Sequence, residues 1–183
     1  MKTKPVENLM TPLSMCATVS RDATLGETAA AFQNSQNSSP TKYPDRAVLI
    51  LDEKGSVVGK VDMLCLLRSL EPKYEQMLPQ KHSYHLGMSL KFQKTMLEQL
   101  RLWEKPMEHI CQKAASKKVE SFMIKPSEGE YIGIDATLDE AIHQLVMGYH
   151  ESLLVADGNK IVGILKLTDV FEEVSKAIAA CAF

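Results

Sequence analysis

The feature that most constrains the fold is an internal repeat. The hexapeptide DATLGE begins at Asp22, and DATLDE begins at Asp135, 113 positions later (135 − 22). In each copy a threonine precedes a glutamate by three residues, which is the spacing of a helix capping box. An apolar segment of helical period follows each box, so the two hexapeptides predict the starts of two equivalent helices.

The repeat continues on both sides of the hexapeptides. Upstream, VENLM (6–10) matches VESFM (119–123) at the same spacing of 113. Downstream, AVLILDEKGSVVGKVDMLCLL (47–67) matches SLLVADGNKIVGILKLTDVF (152–171), with a spacing of 105 (157 − 52) at the aspartates and 104 (163 − 59) at the glycines. The first copy therefore carries eight additional residues (113 − 105), which fall in the polar run QNSQNSSPTKYPD (33–45), a predicted loop. Two copies indicate a duplicated unit whose halves pack on each other.

Each copy predicts the same order of elements. A capped helix is followed by a short apolar strand, a tight turn, a second apolar strand and a final helix. The extended stretches CATVS (16–20) and EYIGI (130–134) add an edge strand before each cap. The order β-α-β-β-α gives an α+β unit whose small sheet is covered by helices on one face. One such unit is too small to bury a large core, so we expect the pairing of two units to supply the missing burial.

A middle segment, residues 71–118, belongs to neither copy. Apolar residues recur near helical spacing before and after Pro106, and a proline fits the first turn of a helix. These patterns predict a helical hairpin that divides the chain into domain 1 (1–70), an insert (71–118) and domain 2 (119–183). Two roles are open for the hairpin: packing against the paired units, or presenting its Met and Trp side chains as a dimer or partner surface.

The ordered set of motifs resembles a tandem pair of CBS domains, the small regulatory modules named after cystathionine β-synthase. With h for an apolar residue, each half has a leading hhxxhM segment, DATLxE, an apolar hairpin and a final helix start, which reads VGILKLTDVF (162–171) in the second half. The resemblance covers roughly residues 4–70 and 117–180. It implies two pseudo-symmetric β-α-β-β-α units packed as a pair. It also implies an adenosine-containing ligand (AMP, ADP, ATP or S-adenosylmethionine), bound in a cleft between the units to regulate another protein.

Composition favours a cytoplasmic protein. The chain has 21 basic and 23 acidic residues, and its formal net charge of −2 creates no general field that would attract nucleic acid or anionic membrane. No apolar run reaches membrane-spanning length, and the N-terminus lacks the apolar core of a signal peptide. The four cysteines are isolated in sequence, which suits thiols in a reducing compartment. We therefore expect neither a nucleic-acid nor a membrane partner.

No catalytic pattern accompanies these motifs, and the sequence calls for no required cofactor. His82 and His85 form an HxxH pair, but no Cys, Asp or Glu stands at a matching spacing, so a polar linker is favoured over a metal site. Nucleophile-elbow and phosphate-loop patterns are also missing. The chain is predicted not to be an enzyme.

By resemblance to the family, the two clefts of the pair differ in chemistry. In the second copy Asp169 takes the position of the ribose-binding aspartate, with Thr168 before it and Lys166 at a position that faces phosphate. A carboxylate accepts hydrogen bonds from both ribose hydroxyls, and a lysine adds a charge-assisted contact to phosphate. The corresponding residues of the first copy are Asp62 and Cys65, and a cysteine does not replace the carboxylate. The alternative role for Asp169 is to cap the last helix.

The opposite wall of each cleft is expected to come from the other unit. The wall facing Asp169 is assigned by resemblance to the first strand and the hairpin of the first copy: Met15, Cys16, Ala17, Arg46 and Ala47. The wall facing Cys65 is assigned to a more acidic set: Glu128, Glu130, Glu151 and Ser152. Phosphate should therefore favour the first of these clefts and be repelled from the second.

Two functional classes follow from these patterns. The first is a sensor of an adenine nucleotide or S-adenosylmethionine that acts on a protein partner in trans. The second is a ligand-independent scaffold that holds a partner through the helical insert. The resemblance also implies a homodimer formed through the CBS pair, and apolar residues of the last helix recur at helical spacing on its outer side: Phe171, Val174, Ala177 and Ile178.

Overall fold

The computed structural model describes residues 4–38, 47–74 and 88–181. Arg46 and the HxxH pair at His82 and His85 lie outside these described residues. The helices and strands of the first repeat are, in chain order, β1 (Thr11–Pro12), β2 (Thr18–Ser20), α1 (Leu25–Ser38), β3 (Ala47–Leu51), β4 (Val57–Asp62) and α2 (Met63–Ser69). Those of the insert are α3 (Leu90–Gln99) and α4 (Met107–Ala115). Those of the second repeat are β5 (Tyr131–Gly133), α5 (Leu138–Gly148), β6 (Ser152–Asp157), β7 (Lys160–Lys166) and α6 (Leu167–Cys181). The predicted α+β order of elements is confirmed in both repeats.

The repeated hexapeptides start helices, as predicted. The Thr24 N–H donates to Glu27 Oε2 at 2.6 Å, and the Glu27 N–H donates to Thr24 Oγ1 at 3.2 Å. Thr137 and Glu140 form the same capping box at the start of α5. The hydrogen bonds from the Thr24 backbone and side chain hold the pKa of the Glu27 carboxyl below its ordinary value, so the cap stays charged near neutral pH.

Each unit has its own sheet with the same strand order. In the first unit β2 pairs with β3 in parallel, and β3 pairs with β4 antiparallel. Strands β5, β6 and β7 repeat this arrangement in the second unit. The register shifts at matching places in the two hairpins, between Ile50 and Leu51 and between Val155 and Ala156. The duplication read from the sequence is therefore also a duplication of the backbone.

The central strands β3 and β6 are buried on both faces, which explains their uninterrupted apolar sequences. Val48 and Ile50 lie in the core of the first unit. Leu49, which points to the opposite face of β3, packs instead with Leu154 and Ile164 of the second unit. We call this shared cluster the interface core. It lies between the two sheets and supplies the burial that one unit lacks.

The leading segments of the two repeats are exchanged between the units. The Val6 N–H donates to the Ala136 carbonyl at 2.8 Å, and the Val6 side chain is fully buried in the second unit's core. At the matching position, the Val119 N–H donates to the Ala23 carbonyl at 2.8 Å, and its side chain is fully buried in the first unit's core. Strand β1 extends the exchange by pairing antiparallel with β7. Domain boundaries that follow sequence order (1–70, 71–118 and 119–183) thus stay a prediction.

The insert forms the predicted pair of helices, and its two halves differ in burial. Helix α4 packs against α1, and its Ile110 is buried. Trp103, between the helices, lies with its ring centroid 6.2 Å from that of Tyr74, and its Nε1–H donates to the Tyr74 hydroxyl at 3.1 Å. Helix α3 has no buried residue, and its Leu90 is 76% exposed. The structure therefore places α4 in a packing role and leaves the apolar face of α3 in solvent.

Two glycines at matching positions of the repeats allow the exchanged segments to approach the hairpins. A Cβ atom on Gly163 would lie 2.4 Å from the Thr11 carbonyl oxygen in β1. A Cβ atom on Gly59 would lie 2.7 Å from Met123 Sδ, and the nearest backbone atom, the Ile124 carbonyl oxygen, would be 3.2 Å away. The first neighbour is backbone that is fixed by strand pairing, whereas the second is part of a flexible side chain. An added methyl group is therefore expected to disturb the exchanged segment more at Gly163 than at Gly59.

We expect Gly163→Ala to lower the free energy of unfolding by about 1–3 kcal/mol, because the added methyl group forces β1 out of its register with β7. Gly59→Ala is the matched control, and its loss should be smaller because the Met123 thioether can rotate away. Urea unfolding followed by circular dichroism measures both losses. An equal loss in the two variants would contradict the tighter fit assigned to β1.

Candidate functional site

A small cleft lies beside the interface core and takes its walls from both units. Its lining residues are Cys16, Ala47, Leu49, Glu151, Ser152, Ile164 and Lys166. Three of them, Cys16, Ala47 and Lys166, belong to the set predicted from sequence to share one cleft. We call this site the Lys166 cleft.

Strand alternation directs Lys166 into the cleft. Leu165 is fully buried in the second unit's own core, so its neighbours Ile164 and Lys166 project to the opposite face of β7, toward the first unit. The Lys166 side chain is only 7% exposed, and its Nζ lies 3.7 Å from Asp169 Oδ2. A buried ammonium needs compensating charge, which Asp169 provides at a distance too long for a well-formed hydrogen bond.

Asp169 is not the N-cap of the last helix, since α6 begins two residues earlier, at Leu167. The carboxylate lies in the first turn, where it still interacts favourably with the helix dipole. In the first unit the cap residue is Asp62, whose carboxylate accepts from the Cys65 N–H at 2.6 Å. Asp62 matches Lys166 (166 − 62 = 104), and Cys65 matches Asp169 (169 − 65 = 104). The carboxylate therefore lies about one helical turn later in the second copy than in the first.

The other predicted site residues are more dispersed. Thr168 is half-buried at the start of α6. Met15 is 64% exposed, and Ala17 packs against the core of the first unit. The lining of the Lys166 cleft does not include Met15, Ala17, Thr168 or Asp169, and Arg46 lies outside the described residues. The assignment of all eight residues to ligand contact stays a prediction.

Glu151 and Ser152 were predicted to form the wall that faces Cys65. That placement is wrong, since both line the Lys166 cleft. The hairpin register explains the error. Ser152 is the strand partner of Lys166, and the Glu151 carbonyl accepts from the Leu167 N–H at 2.9 Å. An antiparallel hairpin brings its two ends together, so the paired strands alone could have placed these residues beside Lys166.

The Lys166 cleft is nearly closed in this structure. The space that its walls enclose is about 10 Å³, enough for a single water molecule. Pockets for drug-sized ligands are typically about 300–1,000 Å³. An adenosine-sized ligand therefore enters only if Lys166 and its neighbours move apart.

The position that mirrors this cleft in the other unit is occupied by an ion pair. Lys60 Nζ lies 2.5 Å from Glu130 Oε2, and the two side chains are 9% and 2% exposed. Burial raises the pKa of the Glu130 carboxyl, but the hydrogen bond and charge of Lys60 and the hydrogen bonds from Ser127 outweigh it, so the pKa lies below its ordinary value. The charge of Glu130, which was predicted to repel phosphate, is thus compensated by Lys60.

Cys65 takes part in structural contacts. Its Sγ–H donates at 3.1 Å to the carbonyl of Phe122, which belongs to the exchanged segment that begins at Val119. All four cysteines belong to the described residues, and no disulfide joins them. Within the same ranges, no group of three His, Cys, Asp or Glu residues is placed to hold a metal ion. Nor does any helix there combine the length and apolar composition needed to cross a membrane.

The chain was compared with known families, curated sequences and solved structures. Residues 119–176, in the second repeat, match the family model of the CBS domain. No curated protein sequence matches the chain. A CBS domain-containing protein of unknown function from Bacillus anthracis is 14% identical with a TM-score of 0.63, and the match covers 96% of this chain and 95% of that one.

CBSX2, a CBS-pair protein from Arabidopsis thaliana, is 16% identical with a TM-score of 0.61, over 96% of this chain and 97% of its own. The structure of CBSX2 in complex with AMP gives 16% identity and a TM-score of 0.60, with 95% and 98% coverage. At these identities the likeness establishes the fold. Residues 119–176 thus match the CBS-domain family, and the chain has the fold of a CBS-domain pair.

Proposed function

We propose that the chain is a cytoplasmic regulatory CBS pair that binds an adenosine-containing ligand in the Lys166 cleft and acts on a protein partner in trans. The observation that carries this proposal is the buried Lys166 ammonium, which lines a cleft whose walls come from both units and lies 3.7 Å from the Asp169 carboxylate. The AMP complex of CBSX2 lends support, since a protein of the same fold holds such a ligand. The candidate ligands are AMP, ADP, ATP and S-adenosylmethionine, and the proposal includes no catalytic step and no required cofactor.

The contacts of the cleft suggest how a ligand would act. A phosphate near Lys166 would replace Asp169 as its partner, and the released carboxylate would accept from ribose hydroxyls. Cys16 and Ala47 belong to the first unit, whereas Ser152 and Lys166 belong to the second. A ligand that parts these walls favours a different arrangement of the two units, which is the change that a partner protein would detect.

A ligand-independent scaffold is the second candidate, and two observations favour it. The Lys166 cleft encloses only about 10 Å³, and the apolar side chains of α3 are available to a partner, with Phe92 50% exposed. Thermal-shift screening with the four candidate ligands separates the two functions, because a ligand of the folded state raises its apparent stability by mass action. If none of the four ligands changes the melting temperature, the scaffold function is favoured.

Cys16 offers a direct test of where the ligand binds. In a Cys111→Ser/Cys181→Ser background, which removes the two exposed thiols, we expect AMP at about ten times its dissociation constant to slow alkylation of Cys16 roughly tenfold. Cys65 is the matched control, because it does not line the cleft, and its rate should not change. Peptide mass spectrometry resolves the two thiols. Protection of Cys65 without protection of Cys16 would place the ligand elsewhere.

Three substitutions test the roles assigned to the side chains. Asp169→Ala should weaken ligand binding by about 1.5–3 kcal/mol, roughly tenfold to a hundredfold, because it removes a charged acceptor of the ribose hydroxyls. Lys166→Ala should weaken AMP and ATP but change adenosine little, since only phosphate meets its charge. Cys65→Ala is the control and should leave binding nearly intact. Titration calorimetry measures all three, and unchanged affinity in Asp169→Ala would contradict the assignment.

The proposal includes a homodimer. Exposed apolar side chains recur at matching positions of α2 and α6, with Met63 matching Leu167 and Leu67 matching Phe171 (104 apart in both pairs). Phe171 and Ile178, two of the residues predicted for the contact, are 66% and 65% exposed. A second copy related by twofold symmetry would cover such a repeated face.

We expect sedimentation at micromolar concentration to give a species of twice the 20.4 kDa chain mass. Phe171→Glu should shift this species to the monomer, because it places a charge in the apolar contact. Ile178→Glu tests the far end of the same face. Lys176→Glu also adds negative charge to α6 and breaks the 3.0 Å ion pair with Glu172, so a dimer that survives it shows that charge on α6 does not by itself separate the copies. A wild-type protein that sediments only as a monomer would contradict the dimer.

A further inference from the structure

The cleft that mirrors the Lys166 cleft can be identified residue by residue. Ile164 and Lys166 line the Lys166 cleft, and the residues 104 positions earlier are Lys60 and Asp62. Val61 between them lies in the first unit's core, so Lys60 and Asp62 project to the opposite face of β4, toward the second unit. We call this region the mirror cleft. Glu130 reaches it from the second unit.

Lys60 and Ser127 both donate to the Glu130 carboxylate there. Oε2 is 2.5 Å from the Lys60 ammonium, and Oε1 accepts from the Ser127 N–H at 3.0 Å and from the Ser127 hydroxyl at 3.1 Å. The residue is 1% exposed. An ammonium, a backbone N–H and a hydroxyl that converge out of solvent form the donor set that recognises a small anion.

A capping role explains only part of this arrangement. Ser127 and Glu130 form the capping box of the 3₁₀ helix Glu128–Glu130, which accounts for the contacts with Ser127. The boxes at the starts of α1 and α5 use the same chemistry, yet their glutamates, Glu27 and Glu140, are not buried. A cap needs neither complete burial nor a lysine from the other unit. Lys60 and the burial of Glu130 therefore call for a second role.

Comparison with the matching positions shows what the pair replaces. Glu130 stands where the first unit has Ala17 (130 − 17 = 113), and Lys60 stands where the second unit has Ile164 (164 − 60 = 104). At the two positions that carry opposite charges in the mirror cleft, the chain thus has Ala17, which packs against the first unit's core, and Ile164, which lines the Lys166 cleft. At this pair of matching positions, a buried carboxylate is present in the mirror cleft and has no counterpart beside the Lys166 cleft.

We propose that Glu130 is a tethered ligand, whose carboxylate permanently occupies an anion site formed by Lys60 and Ser127 in the mirror cleft. The chain holds this carboxylate at a high effective concentration, so a free anion at ordinary concentration does not displace it. The mirror cleft then serves as a fixed ionic joint between the units. One consequence, which rests on the proposed function, is that each chain takes a single adenosine-containing ligand, in the Lys166 cleft.

Chemical rescue tests the tethered ligand without any nucleotide. Glu130→Ala removes the carboxylate and leaves room beside Lys60 and Ser127, and we expect its melting temperature to fall by roughly 10 °C. Sodium acetate at 0.3 M should refill the site and raise the melting temperature of this variant by about 3 °C more than it raises that of the wild type. Sodium chloride at the same concentration controls for ionic strength.

Three further variants make the rescue specific. Glu130→Gln fills the same space with a neutral side chain, so acetate should not rescue it. Lys60→Met/Glu130→Ala lacks the cation, so acetate should again have no added effect. Glu27→Ala removes an exposed capping carboxylate and should respond to acetate as the wild type does.

The outcomes are decisive in either direction. An acetate effect confined to Glu130→Ala supports the tethered ligand, and an equal acetate effect on the wild type and on Glu130→Ala overturns it. If Glu130→Ala does not fold in chloride, refolding from urea is repeated in acetate: recovery of the folded protein there supports the proposal, and failure in both salts overturns it. Because no nucleotide takes part, failure of the adenosine site would leave this result unchanged.

Discussion

The reciprocal burial of Val6 and Val119 is the interaction on which the rest of the structure depends. Each valine completes the core of the unit to which it does not belong in sequence, and each is fully buried there. Removing either segment would leave a cavity in the partner's core and unpaired backbone groups beside it. Neither unit is therefore complete alone. The two sheets are held face to face around the interface core, and the clefts between them exist only because of this pairing.

The duplicated backbone carries different chemistry at its two clefts. In the first unit Asp62 turns back onto its own helix, and Lys60 is neutralised by Glu130 from across the interface. In the second unit Lys166 projects into a shared cleft, with Asp169 one turn further along. The Lys60–Glu130 ion pair is short, at 2.5 Å, and has added hydrogen bonds from Ser127, whereas Lys166 Nζ lies 3.7 Å from Asp169 Oδ2. The duplicated backbone therefore compensates its two buried lysines in different ways.

Much of this fold could be predicted from the sequence, because its signals are local. The capping boxes at Thr24 and Thr137 and the alternation of apolar strands depend on neighbouring residues, and they gave the correct order of elements. The exchange of leading segments could not be predicted in the same way. VENLM and VESFM share three of five residues and the same apolar pattern, so the local sequence does not assign either segment to one unit, and loop geometry and long-range pairing decide. The Lys60–Glu130 pair was hidden for the same reason, since it joins residues 70 positions apart (130 − 60) that no local pattern connects.

The exchange also links the Lys166 cleft to the rest of the molecule. Cys16, on one wall of the cleft, donates its thiol hydrogen to the Pro12 carbonyl at 3.3 Å. Pro12 lies in β1, whose other residue, Thr11, pairs with Ile164 on the opposite wall. The two walls are therefore joined behind the cleft by the segment that leads back to Val6. If the walls part to admit a ligand, this segment must shift or bend, and its anchor lies in the second unit's core. Because that core packs against α6, which carries the exposed Phe171, the opening of the cleft has a continuous structural route to the surface proposed for a second copy.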